Sequence, residues 1–391
     1  MDYLLFLGLL SSAIAMRWII ALYPYSGYNK PPMFGDFEAQ RHWMELTVNL
    51  PINEWYQDSS LNNLTYWGLD YPLLTAYHSY ICGWISNKIN PIWCALKESH
   101  GHESSSHKLF MRYTVFIADL LIYYPAVFYA YRSDLLNKNT ATKKFTVLLT
   151  NLFYPLLILI DHGHFQYNSI SLGLALITFV MATQKNLILF SAMFFTLSLN
   201  YKQMELYHAI PIFVYLLSAY CFEERKIKLK TFLSLGLVVI TTFFIIWIPV
   251  LRHEPLAVIK RLFPFERGLY EDKVANFWCT INLIVKLRSK FDHGTLAKLC
   301  LLTTSLSILP SCYMLFRRPT VRNFYISLSI LCIIITCPLL IAAIYIQPPV
   351  RYPDLWIVLI SACSCVYFLI ILVQFHIYQF KEMTLQIKKT N

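Results

Sequence analysis

The apolar residues of this chain come in long blocks separated by short polar breaks. Ten blocks read as candidate membrane spans: residues 2–23, 111–131, 145–161, 169–184, 186–199, 206–222, 231–251, 297–316, 324–346 and 355–380. A helix needs about 20 apolar residues to cross the ~30 Å hydrocarbon layer, and most of these blocks approach that length. The pattern predicts an all-α polytopic membrane protein. It divides the chain into a first anchor (1–23), a first loop (24–110), a helical bundle (111–251), a second loop (252–296) and C-terminal spans with a tail (297–391). The first block also offers Ala13-Ile14-Ala15 as a signal-peptide-like cleavage site. Asp2 with no preceding basic residue, and an apolar run that continues to Leu22, favour an anchor.

Composition sharpens this picture. Of 391 residues, 57% are hydrophobic and only 14% charged, whereas a soluble domain carries about 25% charged residues. That balance excludes a soluble domain and a disordered chain. The net charge of +11 would point to nucleic acid on a soluble protein. In a membrane protein it reports orientation, because cytoplasmic loops collect Lys and Arg; no nucleic-acid partner is expected, and membrane lipid is. Segments 132–144, 223–230, 317–323 and 381–391 hold 14 basic residues in 39 positions, against 15 in about 150 on the opposite side. The first set is therefore expected in the cytoplasm, with the C-terminal tail.

The opposite face receives nearly all the polar chemistry: both long loops and the junctions Asp161-His162-Gly163-His164-Phe165-Gln166-Tyr167-Asn168 and Asn200-Tyr201-Lys202-Gln203-Met204-Glu205. Its sequon, Asn63-Leu64-Thr65, makes Asn63 a candidate glycosylation site and fits a lumenal address. Of the ten cysteines, Cys300, Cys312, Cys332, Cys337, Cys363 and Cys365 lie in apolar runs, and Cys82, Cys94 and Cys279 have no metal-like spacing.

Gly35-Asp36-Phe37-Glu38-Ala39-Gln40-Arg41-His42-Trp43 opens a helical pattern in which Phe37, Gln40/Arg41, Met44 and Val48 share a face, as on a helix lying along the membrane surface. Asp36 has two readings, a helix cap or a catalytic carboxylate. Tyr66-Trp67-Gly68-Leu69-Asp70-Tyr71-Pro72 sets one acid among three rings, which suits a sugar and equally an interfacial aromatic belt. The His162/His164 spacing hints at metal, but zinc needs at least three protein ligands and only Asp161 is near, so no metal is expected. Lys202 and Glu205 stand at the spacing of a helical ion pair. Asp119 lies inside a span, where an acid is costly and is either functional or paired. Arg261 to Lys273 mixes cations with rings and suits either a phosphate or lipid headgroups.

These strings, together with His107-Lys108-Leu109-Phe110-Met111-Arg112, Asn200–His208 and Arg261–Cys279, resemble in order the dolichyl-phosphate-glucose-dependent α-1,3-glucosyltransferases of the endoplasmic reticulum. Within them, the likeness is greatest to the branch that adds the first glucose to the lipid-linked oligosaccharide. The resemblance implies a GT-C-type multispan bundle in the endoplasmic reticulum membrane, with its active site facing the lumen. It implies a dolichyl phosphate glucose donor, a dolichyl-diphosphate oligosaccharide acceptor, inversion, and no cofactor or metal. Asp36 matches the family's catalytic base. Arg41, Lys202, Arg261 and Arg267 are candidates for the donor phosphate, and Glu38, Trp67, Asp70, His162 and His164 complete the candidate substrate-binding set.

Two departures accompany the resemblance. Leu73 follows Pro72 where the family usually has a second proline. Between Phe316 and residue 324 there is no counterpart to the family's His-Glu-Lys-Ser region, as if roughly four spans, on the order of 100 residues, were absent. An inactive shortened relative is therefore a competing expectation, and a transporter a weaker one. Lys388-Lys389 near the end reads either as a dilysine retrieval signal or as ordinary cytoplasmic charge.

Overall fold

The computed structural model describes residues 3–133, 141–223, 226–263 and 285–320, with the isolated positions 373 and 377. The described residues are mostly helical. Among them, six helices are long and apolar enough to cross a membrane: Leu4–Leu22, Ser105–Arg132, Lys144–Phe165, Gln203–Cys221, Leu229–Leu251 and His293–Arg317. The expected spans at 169–184 and 186–199 form two shorter apolar helices of 15 and 14 residues, about 22 Å each at 1.5 Å per residue. The expected spans at 324–346 and 355–380 lie outside the described residues.

Two compact units are present, residues 1–209 with 227–263, and residues 210–226 with 264–391. The first begins with α1 (Tyr3–Leu22), α2 (Gly35–Asn49) and α3 (Leu73–Ile89). It continues through α4 (Ser105–Ala118), α5 (Tyr124–Arg132), α6 (Ala141–Leu152) and α7 (Pro155–Ile158) to α8 (Asn168–Ala182) and α9 (Ile188–Tyr201). Helix α10 (Leu206–Leu216) starts in this unit, which α11 (Leu229–Leu251) and α12 (Pro255–Leu262) complete. In the second unit, α13 (His293–Arg317) receives a hydrogen bond from Ser218 Oγ to the Phe316 carbonyl.

Local chemistry explains the breaks in the helices. Ser104 caps α4, its hydroxyl accepting from the His107 N–H at 3.3 Å. Between α4 and α5 the turn widens to a π-helix over Asp119–Tyr123, just ahead of Pro125. Proline has no N–H for the carbonyl four residues back, and the ladder opens to accommodate it. A second π-helix spans Leu159–Phe165 and ends where Phe165 takes φ +89°.

The segment 24–110, read from sequence as a loop with one surface helix, is a folded layer. Helix α2 is buried from Phe37 through Thr47 rather than lying half-exposed, and α3 packs along it. The approach is close enough that a Cβ on Gly83 would sit 2.7 Å from the Met44 carbonyl. Ala39, Trp43 and Leu46 of α2 meet Ile246 and Val250 of α11 and Val258 and Leu262 of α12 in one core. Each such fully buried aliphatic or aromatic side chain contributes about 1.5–3 kcal/mol.

Charges inside the bundle are paired. Arg17 of α1 contacts Asp119 at 2.9 Å, each side chain 1% exposed. The same carboxylate meets His162 at 2.8 Å, while Arg17 Nη1 donates to the Leu152 carbonyl at 2.7 Å. Past Arg17, at the C-terminal end of α1, Lys108 donates to the Leu22 carbonyl at 2.8 Å and Arg112 to the Tyr23 carbonyl at 3.4 Å. Cations there match the negative end of the helix dipole.

Removing one partner of a buried pair strands the other charge. Asp119→Ala is expected to cost about 3–5 kcal/mol, read as a fall in the thermal unfolding temperature of the detergent-solubilised protein. Arg17→Met combined with Asp119→Leu should recover much of that loss, because no bare charge remains. An unchanged unfolding temperature in Asp119→Ala would show that the pair does not brace α1.

Candidate functional site

The site is built at the N-terminal end of α2 and the junctions that precede α8 and follow α9, all within the first unit. Phe34, in the left-handed region at φ 56°, occupies the cap position of α2 and contributes no side-chain bond. Asp36, in the first helical turn, does not cap the backbone. Its Oδ2 accepts from His164 Nε2 at 2.9 Å and from Gln166 Nε2 at 2.6 Å. The cap reading of Asp36 therefore gives way: the carboxylate reaches across to another segment, about one-third exposed.

Both donors come from the turn around Phe165. A bulky residue at positive φ is strained, and here the ring is fully buried, 4.9 Å from Phe37 and 5.6 Å from Tyr167. The core thus holds the turn that directs residues 164 and 166 at one oxygen. Burial pushes the Asp36 carboxyl upward. Hydrogen bonds from His164 and Gln166, then the charges of His164 and Lys202, outweigh burial and hold it below the ordinary value.

Lys202, just after α9, donates to Asn168 Oδ1 and stands 4.9 Å over the Tyr71 ring. The helical ion pair expected with Glu205 does not form, since Glu205 meets His208 Nδ1 at 2.8 Å. Burial lowers the Lys202 ammonium below its ordinary value, while Asp161, Asp36, Glu205 and Asp70 pull the other way. Asp70 lies on the same side, its carbonyl accepting from Gln203 Nε2 at 3.0 Å.

Other candidates are turned to different tasks. Arg41, fully buried, forks onto Glu38 at 2.7 and 2.6 Å, reaches Glu45 at 2.7 Å and donates to Ser99 Oγ at 2.6 Å. Tyr66 OH donates to Glu38 at 2.8 Å. Glu38 and Arg41 thus satisfy each other inside the folded layer. Trp67, at φ 50°, donates to the Met33 carbonyl and accepts from Trp43 Nε1 at 2.8 Å. Arg261 of α12 donates to the carbonyls of Leu69, Leu64 and Gly68 at 3.2, 3.3 and 2.9 Å, bracing the Tyr66–Pro72 turn. His162 turns to Asp119 while His164 turns to Asp36, so the two rings of the His-x-His pair serve different carboxylates. Arg267 lies outside the described residues. Asn63 is exposed, and its Oδ1 accepts from the N–H and hydroxyl of Thr65 at 3.0 and 2.7 Å.

Among the described residues, His42, Glu45 and His100 alone come together with metal-like spacing. Glu45 already accepts from Arg41 and the Lys97 N–H, both at 2.7 Å. A cation would have to sit against that guanidinium, so the group reads as a charge network. Burial pushes Glu45 upward, but bonds from His100 and His42 and the Arg41 charge hold it well below the carboxylate range.

Two participants escaped the sequence reading, Gln166 and Asn168. Their signal was positional: both belong to the polar junction between two apolar blocks, where side-chain amides have few apolar roles. Among the described residues, the arrangement offers a carboxylate with two donors on one oxygen and none on the other, near a cation that no carboxylate neutralises at contact.

The sequence is similar to known proteins along most of its length. The model of the ALG6, ALG8 glycosyltransferase family matches residues 13–333. The chain is 49% identical over 320 residues to the dolichyl pyrophosphate Man9GlcNAc2 alpha-1,3-glucosyltransferase of Gallus gallus, covering 81% of this chain and 62% of that protein. It is 47% identical over 334 residues to the probable enzyme of the same name in Drosophila melanogaster, covering 83% and 67%. For that of Schizosaccharomyces pombe the identity is 45% over 326 residues, covering 82% and 63%. The chain thus spans a little under two thirds of the length of most of these relatives. With the family model covering most of the sequence and relatives near half identical, this polytopic chain belongs to the ALG6, ALG8 glycosyltransferase family.

Proposed function

We propose that the protein transfers glucose from dolichyl phosphate glucose to dolichyl-diphosphate-linked Man9GlcNAc2, forming an α-1,3 link with inversion, in assembly of the N-glycan precursor. The observation that carries this reading is the Asp36 carboxylate, with Oδ2 held by His164 and Gln166 and Lys202 nearby. The relatives' names supply the acceptor and the linkage. The fold is read as a GT-C-type bundle of about ten spans, in the endoplasmic reticulum membrane with its site facing the lumen and its tail in the cytoplasm.

The chemistry follows from the two charges. The acceptor hydroxyl approaches C1 of the β-linked glucosyl phosphate from the opposite face. As the new C1–O bond forms and the C1–O(phosphate) bond breaks, the hydroxyl proton passes to Asp36 Oδ1, which has no hydrogen-bond partner among the described residues. Phosphate leaves as an anion and needs no carboxylic acid to protonate it, unlike the alkoxide leaving group of glycoside hydrolysis. Lys202 is positioned to oppose the charge that develops on it. A carboxylate held below its ordinary value is a weak base in the ground state and stays ionised throughout the neutral range. Loss of phosphate, rather than a strong base, drives the step. Arg261 supports this arrangement at one remove, by holding the turn that carries Asp70 and Tyr71.

Asp36→Asn keeps the side-chain shape and removes the proton acceptor. Microsomal glucosylation of the lipid-linked oligosaccharide, read by mass, should fall at least about 100-fold at unchanged expression. Near-normal turnover would remove Asp36 from the chemistry. Because hydrogen bonds hold the carboxyl down, Gln166→Leu should raise its pKa. The acid limb of kcat/KM, set by the ionised form, should then move to higher pH. A limb that stays in place would show that the Gln166 bond does not tune the base.

Orientation has its own check. Asn63→Gln should abolish an endoglycosidase-sensitive mass shift, and a cysteine placed at residue 227 should be labelled from the cytosol alone. Labelling at 227 from the lumen would reverse the proposed topology.

A further inference from the structure

Asp161 is fully buried, and its two oxygens take three donors from the start of α8. Oδ1 accepts from the Asn168 N–H at 3.1 Å and the Asn168 side-chain Nδ2 at 2.8 Å, and Oδ2 from the Ser169 N–H at 2.7 Å. A carboxylate only accepts, so the Asn168 amide has one orientation open to it, with NH₂ toward Asp161 and carbonyl oxygen away. That outward oxygen is the one that receives Lys202 Nζ. The Lys202 ammonium carries three N–H groups. One is spent on Asn168, the Tyr71 ring lies 4.9 Å beneath the group, and no carboxylate oxygen of the described residues is within ion-pair distance.

Three of the nearby acids have partners of their own. Glu205 is held by His208 at 2.8 Å, Asp161 by the first turn of α8, and Asp36 Oδ2 by His164 and Gln166. Among the described residues, a half-buried ammonium is thus held by neutral groups, an amide oxygen and an aromatic face. Its other two N–H groups have no acceptor among the described residues. A carboxylate partner in place of Asn168 would have neutralised the cation, whereas an amide fixes its position and leaves its charge to an incoming anion.

We infer that Asp161 and Asn168 are positioning residues that hold Lys202 as the contact for the phosphate of a polyprenyl-phosphate-linked sugar. This rests on the glycosyl-transfer reading above and assigns two residues that never touch the substrate. Their effect runs through one cation, so it should appear in the donor terms of the kinetics and leave acceptor binding alone.

The experiment is a double-mutant cycle on the detergent-solubilised full chain, using Lys202→Met, Asn168→Leu and the pair of them. Initial rates are measured against a short-chain prenyl phosphate glucose at fixed acceptor, then against the acceptor. Each single variant is expected to raise the donor KM about 10-fold or more, with the acceptor KM within about twofold, and the pair to be no worse than Lys202→Met alone. Multiplicative effects in the pair would overturn the relay while leaving the phosphate contact standing. An unchanged donor KM in Lys202→Met would overturn the phosphate reading itself. A second readout needs no turnover. A prenyl phosphate lacking the sugar should raise the thermal unfolding temperature of the wild-type protein, and of Asp36→Asn, but not of Lys202→Met or Asn168→Leu. Equal stabilisation of all four would overturn the assignment, and the unliganded unfolding temperatures separate it from simple misfolding.

Discussion

Three hydrogen bonds from the first turn of α8 converge on one buried carboxylate, Asp161, and the geometry of the polar face depends on them. The first N–H groups of any helix lack partners within the helix and need acceptors from elsewhere. Asp161 supplies what they need from within the preceding π-helix. The chain must therefore double back within a few residues, and the reversal is made at Phe165 with its left-handed backbone. His164 and Gln166 flank that reversal and turn toward Asp36, while Asn168 closes it and turns toward Lys202. A carboxylate and a cation are thereby placed by a single solution to a backbone problem.

The same economy marks the rest of the first unit. Cations tie its segments together: Arg41 binds α2 to the segment around Ser99, Arg261 holds the carbonyls of Leu64, Gly68 and Leu69 at the Tyr66–Pro72 turn, and Arg17 joins α1 to Asp119. Each ties a polar segment that hydrophobic contacts alone would fix loosely. Arginine suits such work because its planar fork serves several acceptors without losing its charge. Lys202 differs: among the described residues its partners at contact are neutral, an amide oxygen and an aromatic ring.

Much of this was legible in the sequence. Apolar runs marked the helices that are long enough to span, since length and hydropathy are local properties. Asp36 stood out because family strings surround it, and Lys202 because it interrupts apolar helices. Helix α3 was not legible: its aromatic and small residues read as loop, and only packing against α2, with Gly83 on the Met44 carbonyl, gives it a reason to form. The inward turn of Arg41 was hidden for another reason. Periodicity places a residue on a face, but here both faces of the helix are covered. Partners of Asp36 and Arg261 lie far along the chain, and no periodic pattern reports which distant junction will return to a given turn.

Those separations carry a consequence for biosynthesis. Asp36 emerges 128 and 130 residues ahead of its two hydrogen-bond donors, and the Tyr66–Pro72 turn 192 residues or more ahead of Arg261. At about 5–20 residues per second of synthesis, the first folded layer waits on the order of ten seconds for the groups that finish it. During that interval α2 carries an unclamped acid, and the neighbouring turn, with Asn63 close by, has yet to receive its brace. The segment is then a nascent client rather than a finished surface, open to modifying enzymes and folding helpers for a time set by the ribosome.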